Sequence, residues 1–110
     1  MTYADLEPYY DRFEYLCGTA GKAGNLNGTK IAGGNVFEGP RKRDYPNQPT
    51  KPSYSGSLFR DAATNLGYHP FQMPASNSTS LYKNPEGVQM GECVYCGYCE
   101  RFGCEMSAKA

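Results

Sequence analysis

The feature of this sequence that most restricts its fold is a group of four cysteines near its C-terminal end. Cys93, Cys96, Cys99 and Cys104 follow one another within twelve residues, whereas the fifth cysteine, Cys17, stands alone. Disulfides between such close neighbours would close very small loops and would constrain little of the unfolded chain. The spacing C-x2-C-x2-C-x4-C instead favours thiolate ligands that converge on one inorganic centre.

The spacing favours iron–sulfur over other kinds of centre. Its first three cysteines match the ferredoxin-type run C-x2-C-x2-C-x3-C-P, but four residues precede Cys104, and Glu105 stands where that run has proline. Gly97 and Gly103 permit the tight turns of a cluster-binding loop. Structural zinc sites usually have two cysteine pairs separated by a dozen or more residues, a spacing that this run lacks. Zinc is therefore the less favoured alternative, and unmetallated or disulfide-linked thiols are another. Gly97 occupies the histidine position of C-x-x-C-H and excludes c-type haem attachment.

The remaining composition describes a short chain rich in turns. Its 110 residues include 13 Gly and 8 Pro, the mean hydropathy is −0.67, and 11 basic side chains balance 11 acidic ones. No apolar run approaches the roughly 18 residues that span a bilayer, and no charged region followed by an apolar one marks a signal peptide. These properties exclude a membrane span, a coiled coil and a large self-contained enzyme, and the zero net charge predicts no binding of nucleic acid.

A first helix is predicted from Asp5 to Cys17, within residues 1–18. Asp5 is expected to cap it, Pro8 to lie in the first turn, where a missing N–H does no harm, and Gly18 to end it. Apolar residues recur at helical spacing and predict one packing face, made of Leu6, Tyr9, Tyr10, Phe13, Leu16 and Cys17. Asp11, Arg12 and Glu14 are predicted to face solvent, and Cys17 to be a buried small hydrophobic residue.

Residues 19–55 are predicted to be rich in loops. Breakers such as Gly33-Gly34 and Gly39-Pro40 mark turns rather than regular elements. The basic run Arg41–Arg43 lies next to Asp44, and such a short run is predicted to be solvated surface.

Residues 56–74 are predicted to form a helix and a strand. The helix is expected to start at Ser55 or Ser57 and to run to Leu66, with Gly67 as its stop. The stretch 68–74 then reads as a short edge strand, because its two prolines are incompatible with a central strand. His69, the one histidine, is predicted to be a surface or half-buried polar residue, since nothing in the sequence supplies an orienting carboxylate.

Three stretches together resemble a known family. The opening from Tyr3 to Glu14 contains the pattern D-L-x-P-Y-Y-x-x-x-E, residues Ser57 to Met73 join a helix to an L-G-Y-H-P segment, and the tail from Cys93 to Ala110 is rich in cysteine. In this order they resemble the glucose–methanol–choline (GMC) flavin oxidoreductases. The tail is similar to that of a bacterial branch of sugar and sugar-acid dehydrogenases, and the resemblance leaves gluconate, fructose and glucose open as substrates.

The resemblance implies that the chain is an internal segment of a flavoprotein of several hundred residues. The expected fold class is a loop-rich α+β fragment of a larger FAD-binding α/β fold, with two helices, short edge strands and a cysteine-rich loop at residues 91–110. The segment contains neither the G-x-G-x-x-G fingerprint nor the late catalytic histidine of that family. FAD is therefore expected in the full-length parent, and the segment alone is expected to be inactive.

The resemblance also implies a role in electron transfer. In the parent, FAD would take a hydride from a CH–OH group, and an iron–sulfur cluster, 3Fe-4S favoured and 4Fe-4S possible, would carry electrons onward. The implied ligands are Cys96, Cys99 and Cys104, with Cys93 as the alternative ligand. Aromatic neighbours would shield the cluster from water, namely Tyr95, Tyr98 and Phe102.

The resemblance implies partners as well. They are the remainder of the flavoprotein, a cytochrome c subunit, and a small subunit of a membrane-associated complex on the periplasmic side of the bacterial inner membrane. The alternative function is a non-catalytic binding or structural module with a zinc site or unmetallated cysteines.

Overall fold

The computed structural model describes residues 1–97 of the chain. In chain order the elements are α1 (Tyr3–Cys17), β1 (Asn25–Leu26), β2 (Thr29–Lys30), α2 (Tyr54–Asn65), β3 (Tyr82–Lys83) and β4 (Gln89–Met90). The four strands form two separate antiparallel hairpins, β1 with β2 and β3 with β4. The predicted α+β class, with two helices and short strands, is confirmed.

Helix α1 begins two residues earlier than predicted. Thr2 is its N-cap, and Asp5 lies in the first turn, where its carboxylate accepts the Thr2 backbone N–H at 2.7 Å. The prediction of Asp5 as the cap is therefore wrong, because Asp5 supplies the returning half of a capping box. Pro8 falls in the second turn and not in the first as predicted. Because its nitrogen carries no hydrogen, it cannot donate to the Ala4 carbonyl. Gly18 ends the helix in the left-handed conformation (φ 62°, ψ 39°), as predicted.

The first hairpin lies in a region where turns alone were expected. Asn25 pairs with Lys30, and Leu26 pairs with Thr29. The two residues between the strands, Asn27 and Gly28, have φ values of 51° and 90°. An Asn-Gly pair adopts such positive φ angles readily, and they give the backbone the twist that a two-residue hairpin needs.

Helix α2 is capped by Ser53, whose hydroxyl accepts the Gly56 backbone N–H at 3.1 Å. The helix thus starts slightly before the predicted serines, and it ends ahead of Gly67 (φ 80°), as predicted. The predicted edge strand at 68–74 is wrong, because that stretch is not a strand. Its two prolines have no N–H to donate, and the first residue beyond it that pairs through its backbone is Ala75.

The centre of the described region is small and polar. Ala20, 1% exposed, pairs through its backbone with both Asn47 and Ala75. The buried Asn47 amide donates to the Gly18 carbonyl at 2.8 Å, and its side-chain oxygen accepts the Ser80 hydroxyl at 2.6 Å. Hydrogen bonds of this kind join distant segments where the chain offers few large buried apolar side chains.

Two backbone segments touch next to this centre. A Cβ placed on Gly24 would lie 2.2 Å from the Asn35 backbone, and one on Gly34 would lie 2.4 Å from that of Ala23. Only glycine at both positions permits such a close approach. The contact fixes the path of the loop that follows the first hairpin.

Candidate functional site

Two of the four candidate ligand cysteines lie in the described region, just after β4. Cys93 is half-buried and Cys96 is exposed, and both are free thiols. The Cys93 backbone N–H donates to the Ser78 carbonyl at 3.0 Å, which fastens the start of the loop to the polar centre. At Gly97 a Cβ would meet no atom of residues 1–97 within 4 Å.

Tyr95, one of the two residues between these cysteines, holds the loop at a second point. Tyr95 has φ 53°, an uncommon conformation for a bulky side chain. Its hydroxyl accepts the Lys51 backbone N–H at 3.0 Å, and the Lys51 ammonium lies 5.0 Å from the ring centroid. The loop is thereby tied to the segment that leads into α2, and the Lys51 side chain places a positive charge beside the Tyr95 ring.

Cys99 and Cys104 lie outside the described residues, so the predicted four-cysteine group stays a prediction. Within residues 1–97, no group of three or more His, Cys, Asp or Glu side chains could hold a metal ion. The two described thiols fit part of an iron–sulfur ligand set in their chemistry, because both are free, they are three positions apart in the sequence, and Cys96 is exposed. Of the aromatic neighbours, Tyr98 and Phe102 also lie outside the described part.

The largest electrostatic feature of the described region lies on α1. Three carboxylates spaced at helical intervals form an acidic stripe on one side of the helix: Glu7, Asp11 and Glu14. This side faces the body of the molecule, and Glu7 is 6% exposed. The prediction that Asp11 and Glu14 point to solvent is therefore wrong.

The basic run Arg41–Arg43 binds this stripe. Arg41 makes two hydrogen bonds to the Glu14 carboxylate, one of them at 3.2 Å. Arg43 binds Asp11 through two nitrogens at 2.7 Å. The Lys42 backbone N–H donates to Glu7 at 3.0 Å, while its own side chain stays in solvent. The interpretation of the run as solvated surface is wrong for Arg41, which is buried against Glu14. Lys42 and Arg43 are exposed as predicted, although Arg43 also binds Asp11.

Burial and charge act together around Arg41. Burial lowers the pKa of Arg41, but the hydrogen bonds and charge of Glu14 outweigh burial and hold that pKa above its usual value. The guanidinium lies 3.8 Å from the centroid of the Tyr45 ring. Burial raises the pKa of Tyr45 to about 12, although the charge of Arg41 opposes the rise. Arg41 therefore stays ionised, with a carboxylate on one side and a neutral aromatic ring on the other.

A half-open cleft of about 780 Å³ lies beside the start of α2. Its lining includes Lys51, Phe59, Arg60, His69 and Gln72. His69 is exposed, as predicted, and its ring meets that of Phe37 edge to face at a centroid distance of 5.8 Å.

Comparison with known proteins links the whole chain to one flavoprotein. It is 42% identical, over 113 aligned positions that include all of this chain, to the gluconate 2-dehydrogenase flavoprotein of Pantoea cypripedii. The predicted resemblance to the GMC flavoproteins is confirmed. The chain spans 18% of the length of this relative. No protein-family model matches the chain, and no solved structure matches it.

The confirmed resemblance covers α1, both hairpins and the loop with Cys93 and Cys96, because the alignment to the gluconate 2-dehydrogenase flavoprotein takes in every residue. Neither helix in residues 1–97 is long and apolar enough to cross a membrane.

Proposed function

We propose that this chain is a segment of an FAD-dependent dehydrogenase that oxidises a CH–OH group of a sugar acid, with gluconate as the substrate. The observation that carries the proposal is the 42% identity, over the whole chain, to a gluconate 2-dehydrogenase flavoprotein. An identity of 42% over an alignment that takes in the whole chain favours a common role over a common fold alone.

In this proposal, the residues that bind FAD and the catalytic base lie in parts of the flavoprotein outside this 110-residue chain. The chain has no G-x-G-x-x-G sequence, and His69 is exposed beside Phe37 at the rim of a cleft. FAD, when bound, supplies the acceptor for the hydride of the substrate. The segment supplies structure around that chemistry and, through its cysteines, a route for electrons.

We propose the cysteine loop as the site of an iron–sulfur cluster, with Cys96, Cys99 and Cys104 as ligands and Cys93 as the alternative. The free state of both described thiols and the exposure of Cys96 support it. A cluster in this loop, 3Fe-4S or 4Fe-4S, supplies one-electron transfer between the flavin and a cytochrome c acceptor.

The chain's own residues would hold that loop in place. The Ser78 carbonyl fixes the Cys93 backbone, and the Tyr95 hydroxyl fixes the turn between the cysteines through the Lys51 N–H. The Tyr95 side chain is 38% exposed and makes its described contacts with Lys51. A loop held at two points needs less rearrangement when its metal charge changes, which suits electron transfer.

The dehydrogenase proposal is tested on the purified full-length flavoprotein. Released FAD is quantified, and the flavin absorbance is followed anaerobically after addition of gluconate, fructose or glucose in separate samples. Bleaching of the flavin by gluconate at the lowest concentration is expected. A protein without FAD, or one whose flavin is bleached by none of the three, would refute the proposal.

The cluster proposal is tested on cysteine variants of the same protein. Iron, sulfide and zinc are measured after anaerobic purification of Cys96→Ser, Cys99→Ser and Cys104→Ser. Each variant is expected to lose iron and the broad absorption of a cluster. Cys17→Ala is the matched control and is expected to keep both, because Cys17 lies buried at the end of α1. Stoichiometric zinc without iron in the parent protein would instead favour a structural zinc site.

We propose that the flavoprotein works in a complex on the periplasmic side of the bacterial inner membrane, with a cytochrome c subunit and a small subunit. Gentle solubilisation of membranes followed by affinity purification of the tagged flavoprotein is expected to recover a haem-containing subunit. Recovery of the flavoprotein alone, with full dye-coupled activity in the soluble fraction, would contradict this assembly.

A further inference from the structure

The large apolar side chains of α1 lie on its outward side. Tyr9 is 72% exposed, Tyr10 51%, Phe13 59% and Leu16 40%. These four residues form the outer face of α1. The sequence predicts this face to be buried. In the described region it is the acidic stripe on the other side of α1 that faces the body.

The orientation of α1 is fixed by its contacts. Turning the helix to bury the outer face would break the contacts of Glu7, Asp11 and Glu14 with the basic run. The Tyr82 hydroxyl also donates to the Tyr15 carbonyl at 2.7 Å, from the same side. The outer face therefore stays outward as long as these contacts exist.

The outer face exposes far more apolar surface than a single exposed apolar side chain does. Three aromatic residues and a leucine at these exposures present on the order of 400 Å² of mostly apolar surface. Contiguous apolar patches of this size usually mark a contact site. Helix α2 shows the same character, because Ala63 is its one buried residue while Leu58, Phe59 and Leu66 are more than half exposed.

We propose that the outer face of α1 packs against polypeptide of the same flavoprotein that lies outside these 110 residues. The inference rests on the proposed function in one respect, that the chain is a segment of such a flavoprotein. The chain spans 18% of its relative, so most of a protein of that kind is available to cover the face. The outer face consists of three aromatic residues and a leucine, with the exposed Arg12 at its edge, and such a mainly apolar surface suits the interior of one folded polypeptide better than a reversible contact between subunits.

The test is photo-crosslinking in the full-length flavoprotein with its partner subunits present. Phe13→p-benzoylphenylalanine places the probe at the middle of the outer face. Glu86→p-benzoylphenylalanine places it at an exposed position in the turn between β3 and β4 as the matched control. The Phe13 probe is expected to form a crosslink within the same polypeptide, to a peptide outside residues 1–110, in higher yield than the control.

Other crosslinks would overturn the proposal. These are a crosslink to another subunit, to a second copy of the chain or to residues 98–110, and a yield no higher than that of the Glu86 probe. The crosslink map does not depend on turnover. If the protein fails to oxidise gluconate but forms the internal crosslink, only the proposed substrate is refuted. If it oxidises gluconate but does not form the crosslink, only the proposed packing of the outer face is refuted.

A second pair of variants gives an independent readout in the same full-length protein. Phe13→Asp puts a charge into the proposed contact, and Arg12→Asp puts the same charge at an exposed neighbour on the helix. Limited proteolysis at α1 is expected to become roughly tenfold faster for Phe13→Asp and to change little for Arg12→Asp, because loss of packing promotes local opening. Equal cleavage rates in the two variants would overturn the proposal.

Discussion

Replacing Arg41 by methionine removes the centre of the contact between α1 and the basic run. The Arg41 side chain is 8% exposed, and the Glu14 side chain opposite it is 16% exposed. Methionine fills much of the same volume and removes the charge. Glu14 is then left ionised, largely out of solvent and without its two hydrogen bonds from Arg41.

The size of the effect follows from these contacts. Removing one partner of a buried ion pair costs about 3–5 kcal/mol, and the remaining exposure of Glu14 favours the lower end, about 3 kcal/mol. The lost contact with the Tyr45 ring, 3.8 Å from the guanidinium, adds roughly 0.5–1 kcal/mol. A local loss of about 3–4 kcal/mol corresponds to a roughly 100- to 1,000-fold change in the opening equilibrium of α1.

The assay is amide hydrogen exchange of α1 in the full-length flavoprotein, for the parent, Arg41→Met, Glu14→Gln and the double variant. Protection of α1 is expected to fall by the factor above in Arg41→Met, and part of it is expected to return when Glu14→Gln is added. Strict additivity of the two changes would refute the reasoning, because it would mean that the two side chains do not stabilise each other. Arg43→Met is expected to have a smaller effect, because the Arg43 side chain is 51% exposed, whereas that of Arg41 is 8% exposed.

Three further outcomes are expected in the same flavoprotein. Gly24→Ala is expected to destabilise the fold by several kcal/mol, since its Cβ would overlap backbone, whereas Gly97→Ala, whose Cβ would meet no atom of residues 1–97 within 4 Å, leaves the melting temperature within about a degree. Burial raises the pKa of Cys17 above that of a free thiol, so a smaller fraction of this thiol is ionised at a given pH. In metal-free protein at pH 8, iodoacetamide is therefore expected to alkylate the exposed Cys96 much faster than Cys17; equal rates would contradict this burial. Lys51→Met is expected to lower the reduction potential of a cluster in the cysteine loop by roughly tens of millivolts, and Lys51→Arg to leave it unchanged; no difference between the two would argue against a nearby charge.

Local sequence signals predicted the positions of both helices well. Helical spacing located the start of α1 to within two residues, and Gly18 and Gly67 correctly marked the C-terminal ends of α1 and α2. These signals work because they act between near neighbours in the sequence. The caps were displaced, since a serine or aspartate a few residues away offers the same hydrogen bond. Asn27-Gly28 was a usable signal for the first hairpin that the sequence reasoning did not apply.

The prediction of the buried face of α1 is wrong for four of its six residues and right for Cys17, and the error has a physical reason. Burial of apolar residues is the default expectation, but here carboxylates meet arginines about thirty positions along the chain. The spacing of Glu7, Asp11 and Glu14 is visible in the sequence, yet their partners are not adjacent to them. Tyr95 as an anchor of the cysteine loop was likewise beyond prediction, because its partner, Lys51, is set by the fold.

The double pairing of Ala20 has a consequence for biosynthesis. Its backbone joins strand-like segments at Asn47 and Ala75 that are far apart along the chain. On the ribosome, the first of these pairings becomes available well before the second, and α1 has its arginine partners before the centre can close. Contacts of such long sequence separation form late and slowly. A nascent chain that has emerged from the ribosome beyond Asn47 but not as far as Ala75 is therefore expected to have α1 docked through its charges over an unfinished centre.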